Sequence, residues 1–319
     1  MANSLDVSRV VIVVSALSLG TQILASAYLL PRINQPLQLN YILYALALEF
    51  LAFAVLTPFA RGFYAREGVK FGFWNAFGLL LTSESFTHLI PFGDYFVLRF
   101  FFDRHKLPRG TPLRYITVLY SFGLLSLIVL FLSFQALVFL YYPNKISSSF
   151  AGKFALIPLV ITAIVLALYL FRRSPRLTRR LQAVFKRYLG SGLDSPLTIL
   201  SSSRRLSFKD LLLISPLFLT WLLEGLAYVA CLRAFGVKSP ILLSLYAYTF
   251  VKMFRFIPIF PGGVGEIETT SALLFSSYGF AVAPIITGSI LFRFVSYWFP
   301  IVLGALSSRV LLNRATITR

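Results

Sequence analysis

Residues 71–102 read FGFWNAFGLLLTSESFTHLIPFGDYFVLRFFF, a predominantly apolar stretch of 32 residues broken at its centre by Pro91-Phe92-Gly93. Basic residues flank it on both sides: Arg61, Arg66 and Lys70 before it, Arg104, Lys106 and Arg109 after it. Cytoplasmic loops of membrane proteins are enriched in Lys and Arg, so both flanks belong on one side. A single crossing would carry one flank to the wrong side. Two legs of about 15 residues would each reach about 22 Å, short of a hydrocarbon core about 30 Å thick. The stretch therefore reads as a re-entrant helical hairpin that enters and leaves from the cytoplasm. Irregular backbone at depth is tolerated only where it is buried in protein or lines a cavity, so the break points to function.

The surrounding chain supports this frame. Of 319 residues, 58% are hydrophobic and only 13% charged, whereas a soluble domain is about a quarter charged. The runs Val10–Leu30, Tyr41–Ala60, Ser121–Tyr142 and Phe154–Phe171 are each long and apolar enough to span a bilayer as helices. The first is too long for the apolar core of a cleaved signal and reads as a retained span. The basic stretch Arg172–Lys209 has Asp194 as its sole acid and anchors the cytoplasmic side. Working outwards from it places both chain termini in the cytoplasm of a multi-pass protein of the cell membrane. Within this linker, Leu177, Leu181, Val184, Phe185, Tyr188 and Leu189 share a helical face, opposite the arginines. An interfacial amphipathic helix and an ordinary positive-inside loop both fit.

A second break lies in Ser239–Gly279, at Pro258 and Pro261-Gly262-Gly263-Val264-Gly265. The same bookkeeping makes this stretch a hairpin entered from outside. The chain then divides into a first membrane repeat, 1–142, with its hairpin at about 71–102, and a second, 143–319, with the linker at about 173–208 and the hairpin at about 239–280. The expected fold is an all-α polytopic membrane protein with about six full transmembrane helices and two re-entrant hairpins in an inverted repeat.

Several function classes fall away. The single cysteine, Cys231, permits no intrachain disulfide and no thiolate metal site, and two histidines, His88 and His105, make a multi-histidine centre unlikely on count alone. No nucleotide-binding loop is visible, so no cofactor is expected. The net charge of +19 follows from loops that face anionic lipid, and nucleic acid is not implied.

Function must lie with charge at depth. Of 11 acidic residues, Glu49, Glu84, Asp94, Glu224, Glu266 and Glu268 fall in membrane-depth segments, as do Arg99, Lys252, Arg255 and Arg293. Each such charge costs at least about 2.5 kcal/mol to insert. For any one of them, structural pairing and a functional role both stand open; the set on both hairpins favours a polar cavity at the repeat interface. Gly262, Gly263 and Gly265 allow close backbone approach. A helix is expected to begin near Val264 and run through Leu274. Its free N–H groups suit an anion such as a lipid phosphate, with Lys252, Arg255 and Arg293 adding positive charge. Alternatively the glycines only pack the hairpin tip, and Glu266 and Glu268 satisfy the helix dipole or meet a cationic headgroup. His88 suits proton coupling with Glu84 or Asp94, or simple packing. Tyr141, Tyr142, Tyr297 and Trp298 read as interface anchors.

The order Pro261-Gly262-Gly263-Val264-Gly265, Glu268, Gly279, Ala283, Arg293, Tyr297, Trp298, Pro300 and Gly304 resembles the C-terminal signature of the lysylphosphatidylglycerol synthase transmembrane (flippase-like) family. Pro91-Phe92-Gly93-Asp94 with Arg99 resembles that family's N-terminal element less closely. The resemblance implies a membrane domain that moves lipids between leaflets, with Pro261, Gly262, Gly263, Gly265, Glu268 and Arg293 as site residues. It also implies lipid partners: an anionic phospholipid, an aminoacylated phospholipid or a polyprenyl-phosphate glycan. The soluble aminoacyl-transferase domain of bifunctional members is not expected here, since the chain ends at Arg319, so no enzymatic activity is carried over. The expected function is a lipid flippase, with a small-solute or ion secondary transporter, a membrane enzyme acting on a lipid-linked glycan, and a non-catalytic scaffold as rivals.

Overall fold

A computed structural model describes residues 37–89, 93–104, 110–142, 215–255 and 265–314. The runs Val10–Leu30 and Phe154–Phe171 and the basic linker lie outside the described residues. Those described fold into helices, with no β-strand among them. In chain order these are α1 (Leu39–Arg66), α2 (Phe73–Leu89), α3 (Gly93–Arg104), α4 (Thr111–Tyr141), α5 (Ser215–Ala234), α6 (Ile241–Arg255), α7 (Glu266–Ser277), α8 (Val282–Arg293) and α9 (Phe299–Arg314). A π-helical turn, Phe294–Trp298, joins α8 to α9. Pro300 offers no N–H to the preceding turn, which gives a physical reason for the irregularity.

The protein is an all-α membrane protein. Four segments are long and apolar enough to cross a bilayer: Leu39–Arg66, Arg114–Tyr141, Ser215–Ala234 and Val282–Ser308. Large apolar side chains remain on the outside, among them Leu43, Phe100, Leu140 and Val302, as a lipid solvent requires and water would penalise. The helices on either side of the two breaks are shorter. α2 and α3 hold 17 and 12 residues, and α6 and α7 hold 15 and 12, so each reaches only about 18–25 Å.

The α1–α5 pair is the spine. The Gln38 N–H donates to the Ala234 carbonyl at 3.1 Å, and Thr220 Oγ1 lies 3.5 Å from the Ala52 carbonyl. Higher residues of one helix meet lower residues of the other, so the two are antiparallel. Buried alanines, Ala45 and Ala52 on α1 and Ala227 and Ala234 on α5, give small surfaces that let helices approach without a hydrophobic drive.

The first broken stretch returns to where it starts. Glu67, just before α2, pairs with Arg114, at the start of α4, at 3.1 Å. Tyr64 packs on Phe71, Phe102 and Tyr115, which gathers the end of α1, the entry to α2, the exit from α3 and the start of α4. The legs meet backbone to backbone: a Cβ on Gly93 would lie 2.0 Å from the Phe86 carbonyl oxygen. The second broken stretch leaves the opposite end of the spine, because α6 follows the end of α5 through Gly236, and α8 sets Gly288 against Leu232.

Contacts also join helices far apart in sequence. Phe131 of α4 stacks on Tyr246 of α6 at 5.6 Å. On the other side, Ser85 of α2 holds the Pro300 carbonyl of α9 at 2.7 Å and Thr82 reaches the Gly304 carbonyl at 3.2 Å. Intramembrane hydrogen bonds of this kind average about 0.6 kcal/mol. Ser85→Ala should therefore lower stability by about that amount, read as a small drop in Tm of the detergent-purified protein.

Candidate functional site

Glu224 is the tenth residue of the 20-residue helix α5, so it sits near mid-span. Arg293 ends α8, well inside the Val282–Ser308 span. Lys252 lies near the end of α6 and Glu268 near the start of α7, on either side of the second break. Four helices thus bring four charges together.

They form two ion pairs. Arg293 Nε donates to Glu268 Oε1 at 2.9 Å and Nη2 to Oε2 at 3.1 Å. This two-pronged geometry is the strong form of a guanidinium–carboxylate bond. The Arg293 side chain is 2% exposed and that of Glu268 11%, so the pair stands in a low-dielectric setting. Lys252 Nζ bonds Glu224 Oε2, which also accepts from the Tyr248 hydroxyl at 2.9 Å. Three rings surround the ammonium: Tyr248 at 5.4 Å, Trp221 at 5.5 Å and Phe292 at 5.7 Å. Each is within cation–π range. Trp221 is itself tied to α4 through the Gly123 carbonyl at 2.9 Å.

The two pairs are neighbours. Phe292 packs edge-on against both Tyr228 and Tyr248, at 5.2 and 5.9 Å, and precedes Arg293 in sequence. Tyr228 donates to Ser271, one turn beyond Glu268 on α7, at 2.8 Å. The π turn begins immediately after Arg293; such turns recur at functional sites.

Gly265 caps α7 with φ +80 and open space around it. Its backbone, not its packing, demands glycine. The helix starts at Glu266 and extends to Ser277, slightly later at both ends than the sequence implies. Glu268 spends its carboxylate on Arg293, so the helix dipole is not its main partner.

At the start of α3, Asp94 is buried and its Oδ1 accepts from the Tyr95 N–H at 2.8 Å. Its own N–H donates to Thr87 Oγ1 at 3.2 Å, and Tyr120 of α4 is a side-chain partner of its carboxylate. Glu84 is half-buried on α2. Tyr115 lies within electrostatic range of both acids. Arg99 bonds Tyr95 at 2.7 Å and faces Asp103, one turn on, at 3.7 Å, with side chains 41% and 39% exposed. Exposed pairs of this kind contribute about 0–1 kcal/mol. Arg99→Gln should therefore change Tm very little, in contrast to the buried pairs. The side chains of His88, Arg255 and Glu266, and residues Pro261, Gly262 and Gly263 altogether, lie outside the described residues.

Sequence reasoning notes Glu224 among the acids at depth but ties it to no site, because it lies in neither break. Its position at the middle of a span is the signal that could have found it. Trp221, Tyr248 and Phe292 carry no such signal, since aromatics crowd the whole chain. Among the described residues, no cluster of His, Cys, Asp and Glu is arranged to hold a metal ion.

Fold and site together define a polytopic helical membrane protein with paired charges beside a broken segment. Residues 7–304 match the family model described as Lysylphosphatidylglycerol synthase TM region, and the chain belongs to that family. A UPF0104 membrane protein of Methanothermobacter thermautotrophicus is 23% identical over 282 residues, 83% of each chain. A further match, also a UPF0104 membrane protein of that organism, is 28% identical over 141 residues, 44% of this chain and 41% of the relative. No solved structure matches.

Proposed function

We propose that this protein is a lipid flippase, carrying a polar headgroup between leaflets while the acyl chains remain in lipid. The observation that carries the reading is the double ion pair of Glu224, Lys252, Glu268 and Arg293, buried among α5, α6, α7 and α8 beside the second break. Charges at that depth are costly and a packed apolar core would be cheaper, so their retention favours a substrate role. Membership of a family named for a lipid-handling protein supports a lipid as cargo.

The two broken segments are read as re-entrant hairpins, and the halves 1–142 and 143–319 as inverted repeats. The short legs and the Glu67–Arg114 contact at the base of the first hairpin support this. So does the antiparallel spine, which turns the two halves end for end. In this arrangement both chain termini face the cytoplasm. Asp94 and Glu84 contribute from the first hairpin, with His88, Arg255, Glu266 and the Pro261-Gly262-Gly263 turn completing the path. No covalent step is required.

The hairpin is testable with the chain's own chemistry. In a Cys231→Ala background, single cysteines at Lys70 and at Arg114 should both label from the cytoplasmic side only. Labelling of the two from opposite sides would show that the segment crosses. For transport, purified protein in liposomes should speed leaflet exchange of acyl-labelled phospholipid, read by quenching of the outer leaflet. Exchange no faster than in protein-free liposomes would end the reading.

A further inference from the structure

Resting on the lipid-transport reading above, we infer that the cargo is a headgroup of net charge zero carrying one phosphate and one ammonium. The two ion pairs are built from different chemistry. Arg293 presents a planar fork, now filled by the Glu268 carboxylate at 2.9 and 3.1 Å, and the same fork fits two phosphate oxygens. Lys252 Nζ occupies a position ringed by Trp221, Tyr248 and Phe292 and closed by Glu224. Three aromatic faces and a carboxylate around one cation are the surroundings that select an ammonium. The lysine side chain acts as a resident occupant of that box and is flexible enough to swing out of it.

Charge balance decides the class. Glu224 and Glu268 offset Lys252 and Arg293, and the site is buried. A headgroup with one phosphate and one ammonium can exchange partners with both pairs. The phosphate takes Arg293, the ammonium enters the box on Glu224, and the displaced Lys252 pairs with the displaced Glu268. The sum stays zero throughout. A purely anionic headgroup would strand a carboxylate, and a net cationic one would strand a base, each at the cost of an unpaired charge at depth.

The test compares three acyl-labelled lipids in the same proteoliposomes: phosphatidylethanolamine, phosphatidylglycerol and the lysyl ester of phosphatidylglycerol. Phosphatidylethanolamine should exchange about tenfold faster or more than either other lipid, well within the cost of one unpaired charge. Exchange of none of them would sink lipid transport itself. Exchange of all three at similar rates, or faster exchange of either charged lipid, would leave transport standing and overturn the zero-charge inference. Lys252→Gln gives the site one excess negative charge and should move the preference toward the lysyl ester. Should that variant not purify folded, Trp221→Leu serves instead. It removes one wall of the box and should lower the ratio of phosphatidylethanolamine to phosphatidylglycerol exchange; an unchanged ratio would contradict the assignment.

Discussion

Glu268→Ala should destabilise the protein by about 3–5 kcal/mol, the range seen when one member of a buried ion pair is removed. Arg293 would then lose its two-pronged carboxylate partner in a nearly fully buried setting, with a side chain only 2% exposed. A guanidinium cannot shed its proton to escape that cost. The reverse change, Arg293→Met, should be milder, because the stranded carboxylate can take up a proton and become neutral. Combining Arg293→Met with Glu268→Leu should recover much of the stability, since a packed apolar pair is often as stable as a buried ionic one. Thermal unfolding of the four proteins in one detergent would read the order directly. An equal loss in all three variants would mean that the pair is not coupled as the distances imply.

The second large effect concerns packing between α2 and α9. A Cβ on Gly304 would fall 1.9 Å from Ser85 Oγ and 2.5 Å from the Leu81 carbonyl oxygen. Neither distance is tolerable, and the second involves backbone, so α2 and α9 must separate. Overpacking of this kind costs about 1–3 kcal/mol, to which the lost Ser85–Pro300 and Thr82–Gly304 bonds add. Gly304→Ala should therefore lower Tm markedly, and Gly304→Leu should prevent assembly of the folded protein. Adding Ser85→Gly to Gly304→Ala should rescue only part of the loss, because the Leu81 carbonyl remains in the way. Full rescue would mean that the backbone contact is looser than this geometry.

Much of the architecture can be read from charge alone. Basic flanks at Lys70 and Arg104 lead to the expectation that the intervening stretch returns, and Glu67 and Arg114, on either side of it, lie 3.1 Å apart. Pro91-Phe92-Gly93 marks the break because only glycine fits where the legs touch at Phe86. The same bookkeeping sends α1 and α5 in opposite directions, as their contacts require.

Partner choice is less accessible to sequence. Glu224 and Lys252 lie 28 residues apart, and Glu268 and Arg293 lie 25 apart, across helix turns whose angles no local pattern specifies. The aromatic box is equally hidden: Trp221, Tyr248 and Phe292 come from three helices and meet only through tertiary packing. Asp94 shows the converse. Its chemistry in sequence suits a shared cavity, yet its described partners, Thr87, Tyr95 and Tyr120, all belong to the first half. Short polar side chains next to a hairpin break can satisfy one another locally before they meet anything distant.

One measurement bears most directly on the claim that the buried pairs serve a headgroup and not the fold. Leaflet exchange should be compared between wild type and the doubly neutral Glu224→Gln/Lys252→Gln protein, with Tm measured on the same samples. The account predicts rapid exchange by wild type and exchange at the protein-free rate by the double variant, with Tm largely retained because no charge is left unpaired. Wild-type exchange rates in a folded double variant would contradict it.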